Sequence, residues 1–466
     1  MKRLVILFLA VLLAVSGLLT VGLMLGSTQE QVTHQETVLM GDPSAADGLQ
    51  LSLRYLGVRD HPQWLTEYSF GEPDSSETDF HFYTVIPVRR YPASDYRGLV
   101  LNSLGDYFST DHLSDLYLME VRNGNTGTLP GLLGAYQQLY LDTPEGGLTN
   151  TYLRIRDYCE YYPLSGTMEL PNGGYMWNAY ATSGHLMQGM ESADSFSAYF
   201  RIPVLEDDWM QVVVDKRTGS TLESVDVTEN RKGSDVFRMS SVGVCFENTA
   251  YFTFNPLTEQ GNVVDTSLIP GGYGLYSFVF NNQGTVDLSS LSTRCPLDPS
   301  YAPYDMTVDA ENRNLLYFSV KDGVRYLTVI ALDTMELLQT LPILENEEGW
   351  QFHKLLDNGL VAVSEETGIS VWEKNDRGLF ESRFTVALEG TEKAFDLYDG
   401  QYAFDGQRLA VLQQNESAGS TYQTSCGFRL RVYSKDGCDY HGAYEASLQT
   451  DWIHTNCRLY QVEISW

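Results

Sequence analysis

Short runs in which every second residue is apolar, each closed by a Gly, Asp or Asn turn, recur along this 466-residue chain from about position 49 onward. Alternation of period two places the apolar side chains of a run on one face of a strand, so the pattern calls for antiparallel sheet with one face buried. Leu49-Gln50-Leu51-Ser52-Leu53-Arg54-Tyr55 alternates throughout, and Tyr460, Val462, Ile464 and Trp466 do so at the other end. In the C-terminal half the runs fall into units. Asn314–Val320, the turn Lys321-Asp322-Gly323, Tyr326–Asp333 and Leu337–Pro342 make one. Phe352–Leu356, Asp357-Asn358-Gly359, Leu360–Ser364, Ile369–Lys374 and Phe380–Leu388 make a second. Arg408–Gln413, Phe428–Ser434, Lys435-Asp436-Gly437 and Tyr440–Ala446 make a third.

Units of three or four short strands at a spacing of about 40–60 residues have the period of a β-propeller blade. Val329-Ile330-Ala331-Leu332-Asp333-Thr334, continuing to Thr340-Leu341-Pro342-Ile343, resembles the YVTN-type repeat. Ile369-Ser370-Val371-Trp372-Glu373 resembles the third strand of a WD40 blade, with Glu where that family has Asp. Val212 to Leu222 is similar to the strand–turn–strand of quinoprotein-type blades. These likenesses imply an architecture and transfer no activity. Hairpin turns near Arg59-Asp60, Arg122-Asn123-Gly124, Arg217-Thr218-Gly219, Asn282-Gln283-Gly284, Asp333-Thr334, Asn375–Gly378 and Asp436-Gly437 predict about seven blades. Tyr158–Met168 stands as an eighth, and six is also compatible with the pattern. The chain therefore reads as all-β, a single propeller with a short amphipathic helix inserted over Leu129–Asp142, where Leu132, Leu133, Tyr136, Leu139 and Tyr140 fall at helical spacing. Pairing of Leu49–Tyr55 and Gln63–Phe70 with the strands after Trp452 would close one blade from both ends and remove exposed edges. The rival is two β-domains divided near Asn230–Ser234.

Ahead of these strands lies Met1-Lys2-Arg3 and an uncharged apolar run from Leu4 to Leu25. As a helix that run is about 33 Å long, against a hydrocarbon core of about 30 Å. It continues past the best signal-peptidase-like site, Ala14-Val15-Ser16, so an uncleaved anchor is expected. The first cysteine is Cys159, which excludes a lipoprotein. Lys2 and Arg3 precede the run, and no Lys or Arg follows until Arg54. The positive-inside tendency then gives a cytoplasmic stub at 1–3, a single-pass cell-membrane anchor at 4–25, a polar tether at 26–45 and an extracellular domain at 46–466.

A formal charge of −31 argues against nucleic acid as a partner, since polyphosphate would be repelled. Protein, peptide or glycan ligands remain open. Six cysteines, Cys159, Cys245, Cys295, Cys426, Cys438 and Cys457, show no C-x-x-C spacing. The turn at Lys435-Asp436-Gly437 sets Cys438 opposite Tyr433 or Ser434, so a bridge from Cys426 or Cys438 to Cys457 is easier to build than Cys426–Cys438.

No G-x-S-x-G, H-E-x-x-H, Walker loop or post-strand G-x-G-x-x-G occurs, and no catalytic, cofactor or metal residue is assigned. His454 and Cys457 are three apart and face opposite sides of a strand. Glu206-Asp207-Asp208 and Asp74–Asp79 are oxygen-rich but lack the ligand rhythm of a calcium loop. His61, His81, His112 and His353 carry no ligand spacing. Tyr158, Tyr161 and Tyr162 before Pro163, with Tyr175-Met176-Trp177-Asn178-Ala179-Tyr180, form the densest aromatic stretch and suit either stacking on a ligand or strand packing. Recognition is expected there or in the loops over Pro87–Leu113. Asn415-Glu416-Ser417 fits a glycosylation sequon. A membrane-anchored extracytoplasmic binding or scaffold protein is the first reading. Alternatives are a hydrolase or lyase using carboxylates from separate blades, and a sensor coupled to another membrane protein.

Overall fold

The computed structural model describes residues 2–27, 32–56, 62–71, 76–82, 99–103, 130–162, 164–168, 177–178, 199–217, 224–280, 286–345, 350–388, 393–414, 427–448 and 458–466. Two compact units emerge, one from residues 1–89 with 347–466 and the other from residues 90–346. In chain order the elements begin with α1 (Lys2–Ser27), β1 (Val32–Gly41), β2 (Gln50–Leu56), β3 (Pro62–Ser69) and β4 (Ser76–Phe82). The second unit holds β5 (Leu99–Ser103), α2 (Pro130–Asp142), β6 (Leu148–Arg154), β7 (Leu164–Met168), β8 (Trp177–Asn178), β9 (Trp209–Asp215) and β10 (Ser224–Lys232). It continues with β11 (Ser241–Phe246), β12 (Thr249–Phe254), β13 (Gly274–Phe280), β14 (Val286–Pro296), β15 (Ala302–Asp309), β16 (Asn314–Lys321), β17 (Val324–Ala331) and β18 (Leu337–Leu344). The first unit resumes with β19 (Gln351–Leu356), β20 (Gly359–Ser364), β21 (Gly368–Lys374), β22 (Phe380–Val386), α3 (Ala394–Leu397) and β23 (Gln401–Phe404). It ends with β24 (Leu409–Gln414), β25 (Gly427–Ser434), β26 (Gly437–Leu448) and β27 (Arg458–Ser465).

The described strands form seven antiparallel sheets. Meanders of four, β11–β14, β15–β18 and β19–β22, have consecutive strands as neighbours; the three repeat units read in the sequence fall on β16–β18, on β19–β22 and on β24–β26 of a five-stranded sheet. The hairpins β16–β17, β17–β18, β19–β20 and β21–β22 use the expected turns, and the turn expected at Asn282–Gly284 lies outside the described residues. Between β16 and β17 the two residues are Asp322 and Gly323, both at positive φ (49° and 79°), the hand that matches strand twist. Central strands are buried on both faces, β20 along its whole length, whereas β2 alternates because one of its faces is wetter. Gly368 opens β21 at φ 89°, and a Cβ there would stand 2.1 Å from the Val386 carbonyl oxygen, so no larger residue fits without moving the chain.

The early strands β2–β4 and the last strand, β27, share one sheet, ordered β27-β2-β3-β4. Leu53 faces Val462 and Leu51 faces Ile464 across the β2–β27 ladder. The alternation expected from Tyr460 to Trp466 breaks once. A register shift leaves Tyr460 as the extra residue, so Leu459 and Val462 both turn into the core. Leu51, Leu53, Tyr55 and Trp64 are fully buried there, each side chain contributing about 1.5–3 kcal/mol of hydrophobic stabilisation.

Three expectations need correction. Residues 26–45 are not simply a tether: α1 runs to Ser27, β1 adds a fifth strand beside β26, and Pro43–Ala46 form a 3-10 turn. The polar residues that suggested a tether are the exposed side chains of an edge strand. The boundary considered near Asn230–Ser234 falls inside the second compact unit, at the end of β10, whose pairing with β9 shifts register between Thr228 and Arg231. Leu164–Met168, the strand of the eighth repeat considered, pairs with β5. The inserted helix forms at Pro130–Asp142. Among the described residues no helix is long and apolar enough to cross a membrane; the described side chains of α1 cover residues 5–21, and its large apolar ones are 50–73 % exposed.

Candidate functional site

In the second unit, the acidic cluster and the tyrosine run singled out in the sequence come together. Tyr162 and Asp208 are fully buried, and the Tyr162 hydroxyl donates to Asp208 Oδ2 at 2.6 Å while accepting from the Leu205 amide. Asp207 accepts from Trp209 Nε1 and from the Ser234 amide, which hold its carboxyl below the usual range. Arg201 donates to the Tyr161 hydroxyl and lies over its ring. Each carboxylate and phenol is thus engaged in holding strand ends and turns together. Among the described residues no group of three or more His, Cys, Asp or Glu converges as a metal site.

Other expected candidates are scattered. Ser76 and Thr78 of the Asp74–Asp79 loop belong to β4 and bond to the Val32 main chain. His81 is exposed on β4 and His353 half-buried on β19. Cys245 and Cys295 are buried thiols without a disulfide, and burial pushes Cys245 up to about 12. Cys438 pairs with Tyr433 in register, and its thiol donates to the Tyr440 carbonyl. Cys426, Cys457, His454, His61, His112, the sequon at Asn415 and most of the loops over 87–113 lie outside the described residues, as does the 175–180 stretch apart from β8.

The first unit holds an arrangement that the sequence reading passed over. A cavity of about 510 Å³ opens where β19, β23 and β27 approach one another. Lys354, Asp357, Asn358, Gln401 and Trp466 supply much of its lining. Asn358 Nδ2 donates to the Phe404 carbonyl at 2.7 Å, and Trp466 Nε1 to the Ala403 carbonyl at 3.3 Å. The Arg408 guanidinium stacks 3.9 Å over the Trp466 ring while bonding to the Ala45 carbonyl. These ties fix the walls of the cavity.

An aromatic cluster continues along β19 from the cavity. Trp350, Phe395 and Tyr398 are 51, 53 and 42 % exposed, yet touch one another edge-on at 4.9 and 6.0 Å. Tyr398 also meets Phe352 edge-on at 5.4 Å, and the Lys354 ammonium sits 5.1 Å over its ring. The cause is α3. Ala394 and Leu397 turn into the core while Phe395 and Tyr398, three apart, face outward. The Tyr402 hydroxyl pins the end of α3 through the Leu397 carbonyl at 2.6 Å. The strand itself, Gln351–Leu356, rises about 17 Å, the reach of an extended segment of six or so residues. Around it stand Asp357, Asp396 and Asp399, all exposed. The spacing of Phe395 and Tyr398 was legible in the sequence; their exposure was not.

No family model matches the chain, and no curated relative is found. Solved structures give slight likenesses. One is from a study of two prolyl endopeptidases (11 % identity, 86 % of this chain and 50 % of that one, TM-score 0.23). Another is oligopeptidase B from Trypanosoma brucei with covalently bound antipain (10 %, 84 % and 54 %, TM-score 0.23). A third is the β-propeller domain of Cps50 (Swd1) from Myceliophteria thermophila (11 %, 64 % and 86 %, TM-score 0.21). The chain spans about half the length of the two peptidases. Likenesses of this size carry no argument about what the chain does.

Proposed function

We propose that this chain is a membrane-anchored extracytoplasmic binding module, a single seven-bladed β-propeller that takes up an extended cationic segment of a peptide or protein along β19. The observation that carries the reading is the exposed cluster of Trp350, Phe395 and Tyr398 leading into the cavity. Large aromatic side chains held rigid in water are the usual anchors of recognition, because little conformational entropy is lost when they are covered. Asp357, Asp396 and Asp399, within a chain of charge −31, favour a positively charged occupant and its rapid encounter. Hydrolysis of a glycoside needs two facing carboxyl groups, whereas the described lining of this cavity has Asp357 alone.

Seven sheets, four-stranded meanders and the pairing of β2 with β27 support the propeller reading. The anchor rests on the sequence run Leu4–Leu25 taken whole and on the exposure of the apolar side chains of α1. The membrane itself is the first partner in this reading, and the N-terminus faces the cytoplasm.

Replacing Trp350, Phe395 and Tyr398 together by Ala in the detergent-solubilised chain tests the site. Titration against a library of lysine- and arginine-rich decapeptides should show affinity falling by about thirtyfold or more, at about 2 kcal/mol for a recognition anchor. Affinity unchanged by the triple substitution, or cleaved peptide in the wild-type reaction, would overturn the reading.

A further inference from the structure

Few side chains hold β1 in place. Of its ten residues Val32 is buried and His34 half-buried, and the other eight are exposed. Most of the remaining attachment is main-chain pairing with β26, from Val32 opposite Leu448 to Gly41 opposite Tyr440. The His34 ring projects between Tyr55 of β2, Tyr68 of β3 and Phe428 of β25, with centroids 5.4–6.0 Å away. Its Nε2 shares a 2.7 Å hydrogen bond with the Tyr55 hydroxyl, and its Nδ1 is buried with no hydrogen-bond partner. Two residues on, Glu36 accepts from the Tyr440 hydroxyl, which also bonds to Tyr444. At the start of the strand the Val32 amide donates to Thr78 Oγ1, and its carbonyl accepts from Ser76 Oγ.

We propose that β1 is a releasable clasp, docked on β26 near neutral pH and let go as the surroundings acidify. A protonated imidazole carries two N–H donors. In this pocket Tyr55 offers one acceptor, and the second N–H would be buried unpaired, along with a charge stripped of water. The groups facing the ring are the two phenols and Phe428. The carboxylate of Glu36 stands on the same strand and is engaged by Tyr440 of β26. On β4, Glu77 and Asp79 alternate to the face opposite Ser76 and Thr78, away from β1.

Burial holds His34 down to about 4, below the ordinary 6.5 that a released strand regains. Docked β1 therefore binds fewer protons than released β1 between those values. Docking is strongest above about 6.5, weakens as pH falls toward 4, and changes no further below that. At pH 5 the two values correspond to a weakening of about thirtyfold. His441 of β26, opposite Met40 of β1, is also held to about 4, by burial first and then by Arg431 and Arg429. Both arginines belong to β25 and remain when β1 leaves.

Release stops at the 3-10 turn, where Ala46 is buried and Arg408 bonds to the carbonyls of Ala45 and Asp47. If α1 is the anchor proposed above, release adds the ten residues of β1, about 34 Å of reach, between anchor and body. The clasp itself does not depend on that reading.

Hydrogen exchange on the full chain in detergent, compared at pH about 7 and about 5 after correction for intrinsic rates, tests the clasp. Protection of β1 amides and of β26 from Tyr444 to Leu448 should fall by about thirtyfold relative to β15–β18. In His34→Phe, or in His34→Gln should the first fail to fold, that pH dependence should vanish, while His441→Gln should retain it. Equal protection of the wild type at both pH values, or the same fall in a His34 variant, would overturn the proposal. The measurement needs no membrane and no ligand, so failure of the anchor or of the binding site would leave it standing.

Discussion

Tyr162 and Asp208 show how single residues with chemical promise are consumed by architecture. Their contact is a phenol donating to a carboxylate at 2.6 Å with both side chains fully buried. Tyr162→Phe removes that bond and the acceptor of the Leu205 amide. The expected cost is about 2–3 kcal/mol, read from the denaturant midpoint at constant slope. A change below half a kcal/mol would mean that water reaches the carboxylate in the native state. In sequence these residues were visible as an acidic cluster and an aromatic run, but their partnership spans 46 positions and follows from the path of β9 beside β6. His34 was missed altogether, since a lone histidine among polar residues gives no sign that three rings from other strands will enclose it.

Among the elements, strands and hairpins follow from local chemistry. Turn residues with positive φ and the period of two place β15–β18 and β19–β22 without reference to the rest of the chain. The β2–β27 ladder is different in kind, because it joins residues some four hundred positions apart. Loop closure over such a distance must be offset by burial, and Leu53 against Val462 provides part of it. Val462→Asp puts an unpaired carboxylate in that contact and should cost about 3–5 kcal/mol. Urea unfolding followed by Trp64 and Trp466 fluorescence would show it; a midpoint equal to wild type would mean the ladder adds little to the stability of this unit. β1 was misread for a local reason. An edge strand exposed on most of its side chains has the composition of a linker, and what makes it a strand is the free edge of β26.

For the molecule as a whole, the apolar N-terminal helix and the acidic body pull solubility in opposite directions. The large apolar side chains of α1 from Val5 to Val21 face outward, and the formal charge of −31 keeps the remainder hydrated. Removing residues 2–27 should leave the unfolding midpoint within about half a kcal/mol of the full chain and abolish flotation with neutral lipid vesicles. Continued flotation of the shortened chain would place membrane affinity elsewhere.

By itself the sequence determined the β class, the hairpin turns at Asp322-Gly323, Asp333-Thr334, Asn375–Gly378 and Asp436-Gly437, the helix at Pro130–Asp142 and the apolar N-terminal run, all set by contacts within a few residues of the chain. Only the tertiary structure decided that β1 is a strand, that Leu459 turns inward, and that Trp350, Phe395 and Tyr398 stay exposed beside a cavity while Tyr162 is buried. Alternation tells a strand which of its two faces is apolar. Whether that face meets another sheet or water depends on what the rest of the chain brings to it.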